Sequence, residues 1–276
     1  MLTKEQLVTR NYVNIIGSGP QTLMLAHGFG CDQRMWRDIT RGLSDRYTLV
    51  LFDYVGSGRS QLSAFKKSRY RTLEGYARDV NEICQVLELA DVTFVGHSVS
   101  GTIGLLASLA EPEHFARQIM VCPSPCFLND PPGYHGGFER SDLEELIDLM
   151  DKNYIGWASY LAPLVMGMDA SDELIGELAD SFCSTDPLVA RTFAEATFFS
   201  DYRHRLAENQ KPALILQSKD DALANESVGH YMHAQMPHST LNVLDTQGHC
   251  IHMTHPSLVL DAIHAYLDGS SPIPKP

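Results

Sequence analysis

Apolar runs four or five residues long alternate with amphipathic stretches through most of this chain. Runs at 12–16, 22–26, 48–52, 92–96, 118–122, 213–217 and 241–244 are rich in Val, Ile, Leu and Phe, and each is predicted as a strand. The central runs are continuously apolar rather than alternating, which is the mark of parallel strands covered on both faces. Apolar positions recur at helical spacing over 35–43, 73–89, 99–110, 227–236 and 257–267. Strand and helix patterns succeed one another, so the expected fold class is α/β, a mostly parallel sheet with helices on both faces.

One stretch breaks that rhythm. Residues 124–205 hold no convincing strand but carry four helical patterns, at 141–150, 156–166, 172–182 and 187–199. Ser141-Asp-Leu-Glu144 reads as a capping box, and Asp186-Pro187 as an N-cap followed by proline in the first turn. Helices inserted between two parallel strands are expected to form a lid over the carboxyl ends of the sheet, where such sheets bind ligands. The expected organisation is a core of 1–123 with 206–268, a helical lid of 124–205, and a disordered tail of 269–276.

The run Val92-Thr-Phe-Val-Gly-His-Ser-Val-Ser-Gly101 carries the chemistry. A strand leads into Gly96-His97-Ser98 and a helix follows at once, the layout of a nucleophile elbow. The elbow pattern G-x-S-x-G is imperfect here, because Ser100 stands where the last glycine belongs. A serine hydroxyl needs a general base. Downstream, one apolar strand ends in Asp220-Asp221 and another in Gly248-His249, in the order nucleophile, acid, histidine. Both fall just past strand ends, at the same sheet edge as Ser98. His249 is the expected base. Neighbouring residues at a strand end point opposite ways, so only one aspartate can serve; the register favours Asp221 over Asp220. The N–H of Val99, at the helix start, and that of Phe29, in the turn His27-Gly28-Phe29-Gly30, are the expected oxyanion donors.

Composition narrows the choice of partner. The chain has 276 residues, 44% of them hydrophobic, and a net charge of −13. Such a charge argues against nucleic acid and anionic membranes. No apolar leader or membrane-length run is visible, and six cysteines show no paired framework, so a cytoplasmic protein with reduced thiols is expected. Asp53-Tyr-Val-Gly-Ser-Gly58 lacks the third glycine of a dinucleotide fingerprint. His249, His252 and His255 with Cys250 have a spacing that suits zinc, but His249 is already needed by Ser98. No cofactor and no metal are expected. The aromatics Phe138, Trp157, Tyr160, Phe193 and Phe198 are by default the core of the lid, some of them facing an apolar pocket beneath it.

Several segments together resemble a known family. They include Gly28-Phe-Gly-Cys-Asp-Gln33, Leu128-Asn-Asp-Pro-Pro132, Asn153-Tyr-Ile-Gly-Trp-Ala158, Cys183-Ser-Thr-Asp-Pro187 and Gly248-His-Cys250. On these the chain resembles the RsbQ-like α/β-hydrolases, bacterial regulators of the stress sigma factor sigma-B, and more distantly the plant strigolactone and karrikin receptor hydrolases. The resemblance implies an α/β-hydrolase fold with a four-helix lid inserted after strand 6, and a Ser98–His249–Asp221 triad. It also implies a substrate pocket of Phe29, Phe138, Trp157, Leu161 and Phe198, with which His97 is grouped. Ser100 is usual among the plant relatives. Asn225 departs from the family proline and is expected to loosen the turn after Asp221. Two functions follow as expectations: a serine carboxylic-ester hydrolase of a small apolar ester or lactone, or a ligand-sensing regulator that signals through a protein partner docked on the lid. Dehalogenases and epoxide hydrolases of this fold carry aspartate at the elbow, where this chain has serine.

Overall fold

The structure is a computed structural model describing residues 2–168 and 170–269. The expected tail therefore lies outside the described residues from position 270 onward. Among the described residues, seven strands form one sheet: β1 (Asn14–Ile16), β2 (Thr22–Ala26), β3 (Thr48–Leu51), β4 (Val92–His97), β5 (Phe115–Val121), β6 (Ala213–Asp220) and β7 (Ser239–Gln247). Their order is β1-β3-β2-β4-β5-β6-β7. Only β1 runs antiparallel to its neighbour; every other pair is parallel.

The helices are α1 (Lys4–Asn11), α2 (Arg37–Leu43), α3 (Lys67–Tyr70), α4 (Leu73–Val86), α5 (Val99–Ala110), α6 (Arg140–Lys152), α7 (Tyr154–Met166), α8 (Asp172–Ser184), α9 (Pro187–Phe198), α10 (Glu226–Gln235), α11 (Ile251–Thr254) and α12 (Pro256–Leu267). Successive residues of a strand feed opposite cores. In β2, Leu23 and Leu25 join a cluster with Ile39, Leu43, Val259 and Ile263 of α2 and α12. Met24 and Ala26 face a second cluster with Val80, Ile83, Ile103 and Leu106 of α4 and α5. All six residues of β4 are buried, which explains why its run reads as continuously apolar.

The four inserted helices α6–α9 follow β5 in this seven-stranded sheet, not a sixth strand. Their caps differ in part from expectation. Asp186 caps α9 through the N–H groups of Leu188 and Val189, as its sequence suggests. The capping box of α6 is Glu139 with Asp142 rather than Ser141 with Glu144. Glu139 has the longer reach, and it starts the helix two residues earlier. The amino end also differs. Residues 4–11 form a helix with a Thr3–Gln6 capping box, and Tyr12, at φ 43°, ends it in the left-handed region. The first strand consequently begins at Asn14 rather than at residue 12.

Candidate active site

Ser98 sits between the end of β4 and the start of α5 with φ 56° and ψ −124°, a conformation that L residues rarely adopt. Its neighbours hold it there. The Ser98 N–H donates to the Val121 carbonyl of β5 at 2.8 Å, and its own carbonyl accepts from Gly101 N–H at 2.9 Å. Gly96 must lack a side chain, because a Cβ there would stand 2.5 Å from the Ser100 carbonyl oxygen. Ser100 is fully buried and does what glycine could not. Its Oγ–H donates to the His27 carbonyl at 2.5 Å, and that Oγ accepts from the Tyr54 hydroxyl at 2.8 Å. The elbow is thereby tied to the loops after β2 and β3.

His249 Nε2 lies 2.7 Å from Ser98 Oγ, and its Nδ1 lies 2.7 Å from Asp221 Oδ2. All three residues are at most 6% exposed. With the ring neutral, Nδ1–H donates to the carboxylate and Nε2 accepts the serine proton. The second carboxylate oxygen, Oδ1, accepts from Leu223 N–H at 2.8 Å and Ala224 N–H at 3.0 Å. Asp220, one residue earlier, is exposed at the end of β6, and its carbonyl accepts from Gly248 N–H. The strand's alternation thus sends one carboxylate to the histidine and the other to solvent.

The turn after Asp221 is not loosened by Asn225. The Asn225 side chain accepts from Ser227 N–H at 3.1 Å and caps α10. Gln217 Nε2 donates to the Ala224 carbonyl at 2.6 Å. A capping side chain here replaces the stiffness that a proline ring supplies.

The main chain of His249 is held from two sides. Its N–H donates to the Val165 carbonyl of α7 at 2.7 Å. Its carbonyl accepts from His97 Nε2 at 3.1 Å. Gly248 and Gly167 pack backbone against backbone: a Cβ on Gly248 would stand 2.1 Å from the Met166 carbonyl oxygen, and one on Gly167 would stand 2.9 Å from Gly248 N. Burial pushes the His97 imidazole well below the ordinary histidine value, with His252 and His249 adding to the effect. Burial also pushes His252 down to about 3. Both rings are therefore neutral at neutral pH. His27 is neutral for the same chief reason. It donates from Nδ1 to the Gly28 carbonyl at 2.8 Å and accepts the Tyr54 N–H at Nε2.

Above Ser98 lies a narrow pocket with a cavity volume of about 20 Å³. Phe29, His97, Leu161 and Phe198 line it, as sequence reasoning expected. Phe127, Val165, Leu178, Phe182, Thr197 and Leu223 line it as well, and these were not anticipated. Cys31 and Cys250 complete the wall, with burial holding both thiols protonated. Two expected members lie elsewhere. Phe138 lines a neighbouring groove with Asp142, Glu145 and Leu149, which shares Leu161 and Leu223 with this pocket. Trp157 is fully buried behind Phe29, the ring centroids 6.0 Å apart, and so supports the wall without forming it. Phe29 is the hub of this aromatic packing, touching also Phe182, Phe193 and Phe198. Tyr160 is 58% exposed and is no part of the core.

Phe29 lines the pocket with Ser98, and Val99 follows Ser98 in the chain. Val99 is the first residue of α5, where an N–H has no acceptor within its own helix. Gly28, next to Phe29, must be glycine, since a Cβ would meet His97 Nδ1 at 2.5 Å. Among the described residues, two groups bring possible metal-ligand atoms within 4.8 Å of one another: Cys122, Asp221 and His249, and Glu111, Glu113 and His114. His252 and His255 join neither. In the first group, Asp221 and His249 already hold each other through a proton.

Residues 23–262 match the alpha/beta hydrolase family, and the chain belongs to it. It is 39% identical over 252 residues to the karrikin insensitive 2 receptor CA of Petunia hybrida, covering 91% of this chain and 93% of that one. Strigolactone esterase D14 of Arabidopsis thaliana is 34% identical over 246 residues, covering 89% and 91%. Among solved structures, a hydrolase from Oleispira antarctica has a TM-score of 0.95 at 55% identity, covering 97% and 98%. An enol-lactonase from Burkholderia xenovorans shares the fold, with a TM-score of 0.81 at 19% identity. The chain is thus an α/β-hydrolase with esterase-like relatives. Among the described residues no helix is long and apolar enough to cross a membrane.

Proposed function

We propose that this protein is a serine hydrolase of a small apolar ester or lactone. The observation that carries the proposal is the hydrogen-bond chain from Ser98 Oγ through His249 to Asp221, closed at 2.7 Å on each side. Ser98 Oγ attacks the ester carbonyl while its proton passes to His249 Nε2. Asp221 holds the imidazole by Nδ1 and stabilises the imidazolium. The negative oxygen of the tetrahedral intermediate meets the N–H groups of Phe29 and Val99; removal of one such donor costs about 3–4 kcal/mol in comparable sites. Collapse expels the alcohol, which takes the proton from His249. Water then attacks the acyl-serine by the same route, releasing the carboxylic acid and restoring Ser98. A lactone gives one hydroxy acid in place of two products.

The helical segment 124–205 acts as a lid. Its residues Phe127, Leu161, Phe182 and Phe198 make the pocket apolar and keep bulk water from the acyl-enzyme. The test is a panel of short-chain aryl esters and lactones against wild type and Ser98→Ala. Wild-type turnover with Ser98→Ala reduced by about 10³-fold or more supports the reading. Full activity in Ser98→Ala, or a wild type inert across the panel, overturns it.

A second reading is favoured by the likeness to a protein named as a receptor. In it hydrolysis reports the presence of a ligand, and a signalling protein docks on the lid. Helix α7 exposes Ile155 near its start and Leu164 near its end, 71% and 43% exposed. Ile155→Glu with Leu164→Glu should abolish ligand-dependent partner binding and leave ester turnover intact; loss of neither speaks against this reading.

A further inference from the structure

The residue just before the nucleophile has no part in the proton path of a serine hydrolase, yet it is 2% exposed and in contact with both catalytic loops. His97 is the last residue of β4, paired with Val121 of β5. Its Nε2 reaches the His249 carbonyl at 3.1 Å. Its Nδ1 side is pressed against Gly28, where there is no room for a side chain. Its ring lies 4.8 Å from the His249 ring and 4.4 Å from that of His252, centroid to centroid. A carbonyl oxygen can only accept, so Nε2 carries the proton and donates it. The imidazole thus joins the nucleophile strand, the loop before Phe29 and the main chain of the base.

We propose that His97 is a positioning residue for the catalytic base, acting through one hydrogen bond from its Nε2–H to the backbone carbonyl of His249. The proposal rests on the serine-hydrolase reading. The His249 peptide has two anchors, the Val165 carbonyl on its N–H and His97 on its C=O. With one anchor gone, the peptide plane can rock about the other. The imidazole tip, several bonds out, then leaves the line between Ser98 Oγ and Asp221. Reacting groups displaced by a fraction of an ångström lose rate steeply, while an apolar pocket still binds its ligand.

Two amide side chains of nearly equal polarity separate this role from mere filling of space. In His97→Gln the amide nitrogen reaches toward the position of Nε2, and in His97→Asn only toward that of Nδ1. His97→Leu removes both. Each is compared with wild type by kcat and KM on one aryl ester, by the rate of Ser98 labelling with a fluorophosphonate, and by the downfield proton resonance of the His249–Asp221 hydrogen bond. The expected result is a kcat about tenfold or more lower in His97→Leu and His97→Asn, with KM within about twofold and the downfield resonance broadened or lost. His97→Gln recovers most of the rate and the resonance. The proposal is overturned if His97→Leu labels and turns over at the wild-type rate, or if His97→Asn performs as well as His97→Gln. Should His97→Leu not fold, the Gln and Asn pair decides alone. A wild type whose Ser98 takes no label defeats the serine-hydrolase reading itself; a labelled wild type with Gln no better than Asn defeats only the role of His97.

Discussion

Restoring the usual glycine of the elbow should weaken this protein. Ser100→Gly brings the sequence to the G-x-S-x-G form, and on motif grounds alone it should be harmless. In the structure Ser100 Oγ ties the His27 carbonyl to the Tyr54 hydroxyl, and Tyr54 is fully buried. Without that oxygen both groups stay out of water with a hydrogen bond missing. Each such group costs about 1–3 kcal/mol. Glycine in the first turn of a helix adds up to about 1 kcal/mol of backbone entropy. The loss expected is about 3 kcal/mol. Unfolding entropy near 2 cal/mol/K per residue turns that into a melting temperature about 5 °C lower for a chain of this size. Differential scanning calorimetry at fixed pH measures it. A cycle of Ser100→Ala, Tyr54→Phe and the double variant isolates the hydroxyl pair. The double variant should lose about 1 kcal/mol less than the two single losses combined, because removing both partners leaves no stranded hydroxyl. A Ser100→Gly protein melting at or above wild type, or strict additivity in the cycle, would refute the reasoning.

Further outcomes follow from the same geometry. Asp221→Asn should cut kcat by about 10³–10⁴-fold in steady-state assays, whereas Asp220→Asn, which changes an exposed side chain, should stay within about twofold. Acid should destabilise the fold through His97 and His252. Both are held below the ordinary value near 6.5 when folded, so below that pH the unfolded chain binds more protons. That stability is complete above about pH 6.5 and falls as pH drops, for His252 toward about 3, by up to about 1.4 kcal/mol per pH unit for each histidine. Urea titrations across pH 4–7 check this, and His252→Leu should flatten the slope. Leu178→Ala should widen the pocket on its α8 side and shift the preferred acyl chain toward greater length in a p-nitrophenyl ester series.

The strand positions and the residues at the sheet edge were readable from one sequence because each depends on a short local pattern. Val92–His97 is buried throughout, and Gly96 and Gly248 each mark a close backbone approach beside a functional group. Other features depend on partners distant in sequence. Which aromatic of the segment 124–205 lines the pocket depends on packing between segments distant in the chain: Phe182 lines it beside Phe29, whereas Phe138 lines a neighbouring groove. The helix at the amino end did leave a sign, in Thr3 followed three residues later by Gln6, but its apolar face is too short to stand out. Asn225 was read against the proline of relatives rather than for its own chemistry, which is that of a cap.

The Val165–His249 hydrogen bond and the close contact of Gly167 with Gly248 make the base a tenant of two parts of the chain. Any tilt of α7 wide enough to open the pocket must pull on the peptide that carries the imidazole. If His249 is the base, an open pocket would hold it slackened, and the motion that seats α7 would tighten it. The coupling would run through one main-chain hydrogen bond, beside the α7 side chains Leu161 and Val165 that line the pocket.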